Sequence, residues 1–332
     1  MKIGYLGAGI WGYTLASLLA SKGYDVLSWS VEKEVVEHLR KRREHPRALG
    51  FPVPNTLTFT TDMKEALLGK DLIVEGVTSA GLRPVFQHVK ELYIPDVPII
   101  LTSKGIEQNT GLLLSDVVVE VLGEEHRHKI GCLSGPSIAM EVLSGHPTSV
   151  VCSAYEKSVM NKVHEAFSTP TFRVYPNPDI NGVELGGAMK NIIAIACGVS
   201  DGLGFGDNAK AALMTRGLHE IRRLAAVKGC QTETLNGLAG MGDLCVTCLS
   251  KYSRNYRFGN LIAQGRSPEE AKKEIGMVVE GTYTCLSAIQ LAKKAGIELP
   301  IATAVYKVVY EGMEPREAVK MLLQRVTKSE TL

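Results

Sequence analysis

The chain has 332 residues, which at roughly 150 residues per domain favours two domains. Hydrophobic residues make up 45% and charged residues 22%, a composition typical of folded globular proteins that excludes a disordered chain. The 37 basic and 35 acidic residues leave a net charge of +2, which argues against a nucleic acid as partner. Glycine is in excess, with 33 residues against a usual share of ~7%.

The seven cysteines are an odd number in a chain too long to need disulfides, and they predict reduced thiols and a cytoplasmic protein. Cys245 and Cys248 form a C-x-x-C pair without a second pair or a nearby pair of histidines. We therefore predict no metal site and interpret these thiols as structural, with a redox pair as the alternative.

Residues 3–20 carry no charge, and a run of this length also fits a signal peptide or a short membrane span. The run contains four glycines, and it lacks both a strongly basic leader and a clear cleavage motif. A buried parallel strand followed by a buried helix gives the same pattern. We favour this second interpretation and expect no integral membrane segment.

Short apolar runs alternate with helical stretches in the first half of the chain, which predicts a doubly wound, Rossmann-type parallel sheet. The predicted strands are Lys2–Leu6, Asp25–Ser30, Leu57–Thr60, Leu72–Val77, Pro98–Thr102, Lys129–Leu133, Thr148–Cys152 and Phe172–Tyr175. After about residue 181 apolar residues recur at helical spacing, and Ser267-Pro268-Glu269-Glu270 is a helix start. The predicted fold is therefore α/β, with a dinucleotide-binding domain at 1–180 and an all-helical domain at 181–332. The basic run Arg40–Arg43 is interpreted as a solvated helix face.

Gly7-Ala8-Gly9-Ile10-Trp11-Gly12 is a G-x-G-x-x-G motif between the first predicted strand and the first helix. In such a loop the first glycine permits a tight turn, the second lets pyrophosphate approach the backbone, and the third lets the helix pack on the strand. The helix N-terminus then offers free N–H groups to the pyrophosphate. The motif in this context predicts a dinucleotide site.

Glu32 lies 20 residues after Gly12 and follows the second predicted strand, where an acid can bind the 2′-hydroxyl of the adenosine ribose. The alternative is an ordinary surface residue at the start of a helix. Val31 beside it offers no positive charge to a 2′-phosphate, although Lys33 is close. These residues favour NAD, with NADP possible.

Polar turns that contain glycine follow two further strands. Lys104-Gly105 comes just after Pro98–Thr102, and Ser134-Gly135-Pro136-Ser137 follows Lys129–Leu133. Ligands of doubly wound sheets bind beyond the carboxyl ends of the strands, so both turns belong to the candidate active site, the second against a nicotinamide ring.

Lys190-Asn191 interrupts an apolar helical segment that continues as Ile192–Ala196. A buried lysine is costly unless it has a partner, so we predict a functional role, with a structural ion pair as the alternative. A lysine with a lowered pKa can give a proton to the alkoxide that hydride transfer creates. Asp243 is the candidate that orients this ammonium. Ser253-Arg254-Asn255 is either an oxyanion-binding set or an ordinary helix cap.

Together these motifs resemble the bacterial NAD(P)-dependent glycerol-3-phosphate dehydrogenase family. The most specific likeness runs from Gly187 through Asp201–Lys210 to Leu218. The other matching segments occur in the family's order over nearly the whole chain, namely Gly7–Gly12, Ser103–Glu107, Ser134–Glu141, Gly237–Asp243, Ser253–Asn255 and Val278–Gly281.

The resemblance implies reversible reduction of dihydroxyacetone phosphate to sn-glycerol 3-phosphate with NAD(P)H, as a supply for phospholipid synthesis. It also implies a homodimer and a C-terminal domain similar to that of 6-phosphogluconate dehydrogenase. Lys190 is the implied catalytic proton donor and acceptor. The predicted substrate residues, with Arg254 and Asn255 toward the phosphate, are Lys104, Gly135, Ser137, Lys190, Asn191, Asp243, Ser253, Arg254 and Asn255. The predicted cofactor residues are Gly7, Gly9, Ile10, Trp11, Gly12, Val31, Glu32, Lys104, Ala139, Arg254, Val278 and Glu280.

Two positions depart from the family pattern. Many relatives have arginine or histidine where this chain has Val31, and the family usually has proline where this chain has Thr78. The first departure weakens the expectation of NADP use, and the second predicts a different cofactor-side turn. A β-hydroxyacid dehydrogenase, which would act on a carboxylate, is the alternative enzyme. A non-catalytic NAD(H)-sensing module is the alternative outside enzymes.

Overall fold

In the computed structural model, which describes residues 1–327, 329 and 330, the apolar runs of the first half form strands and the segments between them form helices. The strands are β1 (Lys2–Leu6), β2 (Asp25–Trp29), β3 (Glu44–His45), β4 (Ala48–Pro52), β5 (Leu57–Thr60), β6 (Leu72–Glu75), β7 (Ile99–Leu101), β8 (Ile130–Ser134), β9 (Thr148–Ala154) and β10 (Phe172–Pro176). The first seven helices are α1 (Ile10–Ser21), α2 (Lys33–Arg42), α3 (Met63–Leu67), α4 (Leu82–Leu92), α5 (Leu114–Leu122), α6 (Ala139–Leu143) and α7 (Lys157–Phe167).

The second half of the described chain is helical. Its helices are α8 (Ile180–Gly202), α9 (Asp207–Val227), α10 (Thr232–Asn236), α11 (Asp243–Leu249), α12 (Arg254–Ala263), α13 (Pro268–Ile275), α14 (Glu280–Ala295), α15 (Pro300–Tyr310) and α16 (Pro315–Leu323), with a π-helical turn at Leu238–Gly242. The capping box predicted at Ser267 is confirmed at the start of α13. The predicted domain 181–332 includes residues 328, 331 and 332, which lie outside the described residues.

Eight strands form one sheet in the order β10-β9-β8-β7-β6-β1-β2-β5, and they match the eight strands predicted from the sequence. The doubly wound α/β fold is therefore confirmed. The prediction of a wholly parallel sheet is wrong at one edge, since β9 pairs antiparallel with β8, and β10 is parallel to β9. The connection from β8 to β9, residues 135–147, contains only the five-residue helix α6 and no full crossover helix of the kind that joins parallel strands.

The uncharged N-terminal run forms β1, the glycine loop and α1. Every residue of β1 after Lys2 is buried, and most of α1 is buried as well. The interpretation of residues 3–20 as a strand and a helix is therefore confirmed.

Helix α8 is the core of the helical half and packs against α9, α11, α12 and α14. Two glycines make its crossing with α12 a backbone contact, since a Cβ on Gly198 would lie 2.0 Å from the Tyr256 carbonyl oxygen, and one on Gly259 would lie 2.0 Å from that of Ile195. Among the described residues α8 alone is long and apolar enough to span a membrane, and 94% of its most apolar window is buried inside the protein.

The β3–β4 hairpin was not predicted, and it covers the glycine loop. His45 Nε2 lies 3.2 Å from the Ala8 carbonyl oxygen, and the Tyr13 hydroxyl donates to the Phe51 carbonyl at 2.7 Å. The interpretation of the basic run as only a solvated face is incomplete. Arg43 donates to the carbonyls of Val53 and Pro54, and so fixes the base of this hairpin.

Candidate active site

A single buried carboxylate bridges two lysines where the sheet meets the helical half. Asp243 Oδ1 accepts a hydrogen bond from Lys190 Nζ at 2.5 Å, and its Oδ2 accepts one from Lys104 Nζ at 2.6 Å. Lys190 Nζ also donates to Thr247 Oγ1 at 2.7 Å. The Asp243 side chain is 1% exposed, so this charge is enclosed with its two partners. The structure thus brings together three of the predicted site residues.

Small residues let the backbone elements approach closely enough to form this cluster. A Cβ on Gly186 would lie 2.6 Å from the Ala239 carbonyl oxygen, and one on Gly187 would lie 2.5 Å from Ser134 Oγ. Helix α8 can therefore lie directly against the π-helical turn before Asp243 and against the end of β8. This contact places Lys190, one turn further along α8, opposite Asp243 at the start of α11.

Burial lowers the pKa of Lys190 from 10.5 to about 8, with the Asp243 carboxylate opposing the shift and the Lys104 ammonium adding to it. A group with a pKa near neutral pH can both donate and accept a proton under working conditions. The cluster can therefore serve as a general acid in one direction and as a general base in the other.

The turn after β8 joins the same cluster. Lys104 Nζ donates to the Gly135 carbonyl oxygen at 3.0 Å, and the Ser137 hydroxyl donates to that oxygen at 2.9 Å. Gly135 has φ +129°, a conformation that L side chains rarely adopt, and an added Cβ would lie 3.0 Å from the Cα of Val150. The sequence motif is thus explained by a backbone that must turn sharply beside Lys104.

Two asparagines, Asn191 and Asn255, form a second polar group next to Lys190 on α8 and at the start of α12. Asn255 Nδ2 donates to Asn191 Oδ1 at 2.9 Å, and Asn255 Oδ1 accepts from the backbone N–H of Gly281 at 2.9 Å. The Ser253 side chain caps α12 by accepting from the N–H of Tyr256, so the helix-cap alternative is correct for this serine. This cap places the next two residues in the first turn of α12.

Arg254 lies in that first turn, and its Nη1 donates to the Val278 carbonyl oxygen at 2.8 Å. Burial lowers the pKa of Arg254 from its usual value, and the nearby Glu280 carboxylate opposes the shift. A guanidinium with free N–H groups beside a helix N-terminus is suited to a phosphate or carboxylate.

The glycine loop has the geometry of a dinucleotide cradle. Gly7 has φ +121°, and a Cβ there would lie 2.6 Å from the Gly76 carbonyl oxygen. A Cβ on Gly12 would lie 2.5 Å from the Gly7 carbonyl oxygen, so only glycine lets α1 begin here. Gly9, before Ile10 at the start of α1, has no atom within 4 Å of its Cβ position. That open space above a helix N-terminus fits a pyrophosphate.

The indole of Trp11 supports the same assignment. Its Nε1–H is buried and has no hydrogen-bond partner within the described structure. A buried donor without a partner is costly, so this N–H is available to a bound group. The residues present therefore fit a dinucleotide cofactor.

Three predicted cofactor residues stand apart from the lysine cluster. Val31 is 75% exposed beyond the end of β2, and Glu32 is the N-cap residue of α2. Ala139 begins α6, just after the Gly135–Ser137 turn. No hydrogen bond joins the Glu32 side chain to another described residue, so its surface and ribose-binding interpretations both stay open.

Glu280, predicted from the family resemblance, instead contacts the sheet half in this structure. Its Oε1 accepts from the backbone N–H of Ser79 at 3.1 Å, and its Oε2 accepts from the Ser79 hydroxyl. Sequence reasoning missed Ser79 and Thr247. Thr247 could have been found as the residue one helical turn after Asp243, whereas nothing local marks Ser79.

Across the part of the chain that the structure describes, no group of three or more His, Cys, Asp or Glu side chains could hold a metal ion. Cys245 contacts Met241 Sδ, and Cys248 is fully buried.

The fold and the glycine loop together define a Rossmann-type oxidoreductase with a helical C-terminal domain. Residues 2–160 match the family model for the NAD-dependent glycerol-3-phosphate dehydrogenase N-terminus, and residues 179–320 match that for its C-terminus. The chain therefore belongs to the NAD-dependent glycerol-3-phosphate dehydrogenase family, and its cofactor is NAD(P).

Individual relatives agree over the full length. A protein of Chlamydia pneumoniae named glycerol-3-phosphate dehydrogenase (NAD(P)+) is 59% identical over 330 residues and covers 99% of both chains. One of the same name from Protochlamydia amoebophila is 60% identical over 331 residues, 100% of this chain and 99% of the relative. The crystal structure of glycerol-3-phosphate dehydrogenase from Coxiella burnetii is 40% identical and has a TM-score of 0.93, with 98% of this chain and 99% of that one covered.

Proposed function

We propose that this chain reduces dihydroxyacetone phosphate to sn-glycerol 3-phosphate, reversibly, with Lys190 as the proton donor. The observation that carries the proposal is the buried cluster in which one carboxylate holds Lys190 and Lys104 at 2.5 and 2.6 Å. The relatives' names give the substrate, and the glycine loop gives the cofactor site.

The bound nicotinamide supplies the hydride. As the substrate carbonyl oxygen gains negative charge, the Lys190 ammonium donates a proton from Nζ to it, which leaves a neutral amine and an alcohol. Asp243 and Thr247 hold Nζ in place. Lys104, on the other oxygen of Asp243, adds a second positive charge that favours the developing alkoxide.

Arg254 and Asn255 are the proposed phosphate ligands. Both lie in the first turn of α12, whose backbone N–H groups and helix dipole favour a dianion. Burial increases the strength of a charge-assisted hydrogen bond from the Arg254 guanidinium. An unphosphorylated triose would lose this contact, so the phosphate should decide substrate choice.

For the cofactor we propose a preference for NAD over NADP. Val31 is exposed at the carboxyl end of β2 and offers no charge to a 2′-phosphate, and Glu32 beside it can accept from a ribose 2′-hydroxyl. Gly7, Gly9, Ile10, Trp11 and Gly12 would hold the pyrophosphate, with Ala139, Val278 and Glu280 completing the site.

We further propose a two-domain cytoplasmic enzyme, with domains 1–180 and 181–332, whose product supplies phospholipid synthesis. A homodimer is part of the proposal, and a mainly apolar cavity of about 460 Å³ between α8, α9, α15 and α16 is a candidate place for its contact.

The test is oxidation of NADH by the purified chain with dihydroxyacetone phosphate, followed at 340 nm. Unphosphorylated dihydroxyacetone and the 3-oxoacid of 3-hydroxyisobutyrate are run in parallel, and NADPH replaces NADH in a second series. We expect turnover only with the phosphorylated ketone and faster turnover with NADH. Equal activity on unphosphorylated dihydroxyacetone, or activity only on the 3-oxoacid, would refute the substrate assignment.

A further inference from the structure

A buried glutamate outside the lysine cluster holds the turn that follows β6. Glu75 is fully buried at the last position of β6. Its Oε1 accepts from the backbone N–H of Val77 at 2.6 Å and from the Ser103 hydroxyl at 2.7 Å. The Ser103 hydroxyl also lies within hydrogen-bond distance of the Val77 carbonyl oxygen, and because it carries one proton it donates to one of these two acceptors at a time.

The turn Gly76–Ser79 touches three separate parts of the site. A Cβ added to Gly7 would lie only 2.6 Å from the Gly76 carbonyl oxygen, so this turn packs on the first glycine of the cofactor loop. A Cβ added to Gly105, the residue after Lys104, would lie 2.5 Å from the Cβ of Ser79, so the turn also packs on the segment that carries Lys104. Ser79 also donates twice to Glu280 of the helical half. A displacement of the turn would therefore move all three.

The other hydrogen bonds of the turn act at its two ends. The Gly76 N–H donates to the Leu6 carbonyl oxygen at 2.9 Å, and Ser79 is held by Glu280. Between them, the Val77 N–H is held by the Glu75 carboxylate. Thr78 has φ −71°, a value that a proline ring would fix, and its N–H makes no hydrogen bond to another described residue, so a proline there would remove no backbone hydrogen bond.

We propose that Glu75 is a positioning residue for the cofactor site, which fixes the turn Gly76–Ser79 and through it the glycine loop and the segment that carries Lys104. Glu75 contacts neither the reacting atoms nor the lysine cluster. Its contribution is the restraint of a backbone that the cofactor would lie against.

The experiment measures NADH binding by fluorescence titration, separately from turnover. Replacement of Glu75 by valine removes the side-chain acceptor of the Val77 N–H, and we expect the Kd for NADH to rise at least ~10-fold. Glu75→Gln keeps a carbonyl oxygen at the same place and should stay within ~3-fold of the parent protein. Ser103→Ala removes one of the two donors and serves as a milder variant should Glu75→Val not fold.

The decisive arm is the double variant Glu75→Val with Thr78→Pro. The proline ring fixes φ at residue 78 but gives the Val77 N–H no new acceptor, so NADH affinity should recover in part, to a Kd clearly below that of Glu75→Val. Glu220→Val is the matched control, because Glu220 is also a buried acid that accepts from two backbone N–H groups, those of Ile301 and Ala302, but it lies in the helical half. It should lower the thermal midpoint and leave the Kd unchanged.

An unchanged Kd in Glu75→Val overturns the proposal, and so does a double variant as weak as Glu75→Val itself. A kinetic version of the test rests on the proposed function, and in it the KM for NADH should rise more than kcat falls. The binding titration does not rest on the proposed function, because it needs no turnover. If the parent chain binds NADH and fails to reduce dihydroxyacetone phosphate, the proposed function is wrong while the role of Glu75 is still measured.

Discussion

Lys190 and Asp243 meet at 2.5 Å inside the protein, and the aspartate simultaneously holds Lys104 with its second oxygen. Two ammonium groups thus share one carboxylate, so the cluster carries a net positive charge in a buried place. Such a cluster favours an anionic substrate and a neutral form of one lysine. Lys190, the more deeply buried, is the one whose pKa falls to about 8.

Removal of the Lys190 ammonium should abolish proton transfer with little effect on the fold. We expect Lys190→Ala to lower kcat at least ~100-fold, the low end for loss of a general acid. Steady-state kinetics and a thermal melt measure the two effects. Lys129→Ala, which removes a surface ion pair with Asp96, is the control and should be close to the parent. Near-normal turnover in Lys190→Ala would exclude the assigned role.

The lowered pKa of Lys190 predicts opposite pH profiles for the two directions. Reduction needs the protonated ammonium, so its kcat/KM should fall as the pH rises through about 8. Oxidation needs the neutral amine, so its kcat/KM should rise over the same interval. Profiles of kcat/KM at several pH values on both sides of this pKa, in both directions, measure this, and parallel profiles would contradict it.

Replacement of the bridging carboxylate should shift those profiles. Asp243 raises the pKa of Lys190 against the effect of burial, so Asp243→Asn should move the falling limb of reduction to lower pH. The variant also leaves two buried ammonium groups without a counter-charge, which should cost about 3–5 kcal/mol of unfolding free energy. Denaturant titration and the pH profile measure the two effects. If the activity of Asp243→Asn in reduction falls at the same pH as that of the parent protein, Asp243 does not set the pKa of Lys190.

The open space at Gly9 predicts that Gly9→Ala folds normally and binds its cofactor weakly. An added methyl group at Gly9 meets no protein atom within 4 Å, so Gly9→Ala should keep the thermal midpoint. The methyl group would stand where pyrophosphate approaches, and NADH affinity should fall at least ~10-fold. Gly206→Ala is the control, because Gly206 is also a helix N-cap with open space, at the start of α9. Equal NADH binding by both variants would contradict the pyrophosphate site.

A positive charge at residue 31 should improve the use of NADPH. Val31 is exposed at the end of β2, and an arginine there can reach a 2′-phosphate, a charge-assisted contact worth about 1.5–3 kcal/mol. Val31→Arg should therefore raise kcat/KM for NADPH relative to NADH by about 10-fold. Val227→Arg, at an exposed valine near the end of α9, controls for the added charge. An unchanged ratio in Val31→Arg would refute the proposed basis of cofactor preference.

The strands of the sheet were predictable because each buried strand carries its own apolar signal, as Leu72–Glu75 and Ile99–Leu101 do. The direction of β9 was not, since it depends on the span of the connection before it. The β3–β4 hairpin was missed because β3 has only two residues, β4 contains a glycine and a proline, and the hairpin starts after Arg43 in a left-handed conformation, φ 53°. Neither the direction of β9 nor this hairpin is marked by a regular apolar alternation.

Site residues could be predicted from the sequence where a charged residue stands within an apolar, buried segment. Lys190 was singled out because it interrupts an apolar helix, and the same reasoning applies to Glu75 at the end of an apolar strand. Hydroxyl partners such as Thr247 and Ser79 carry no such conflict, so their contacts appear only in three dimensions. The spacing of Asp243 from Lys190, 53 residues, likewise gives no hint of their contact.

Neither half of the chain contains a complete active centre. Lys104 comes from the end of β7, whereas Asp243 and Lys190 come from α11 and α8. A protein assembled from the sheet half of one relative and the helical half of another would need matching contact surfaces where Lys104 meets Asp243. Under the proposed mechanism the docking of the two halves is therefore part of catalysis, because an error of one helical turn along α8 would carry Lys190, the proposed proton donor, about 5.4 Å from Asp243.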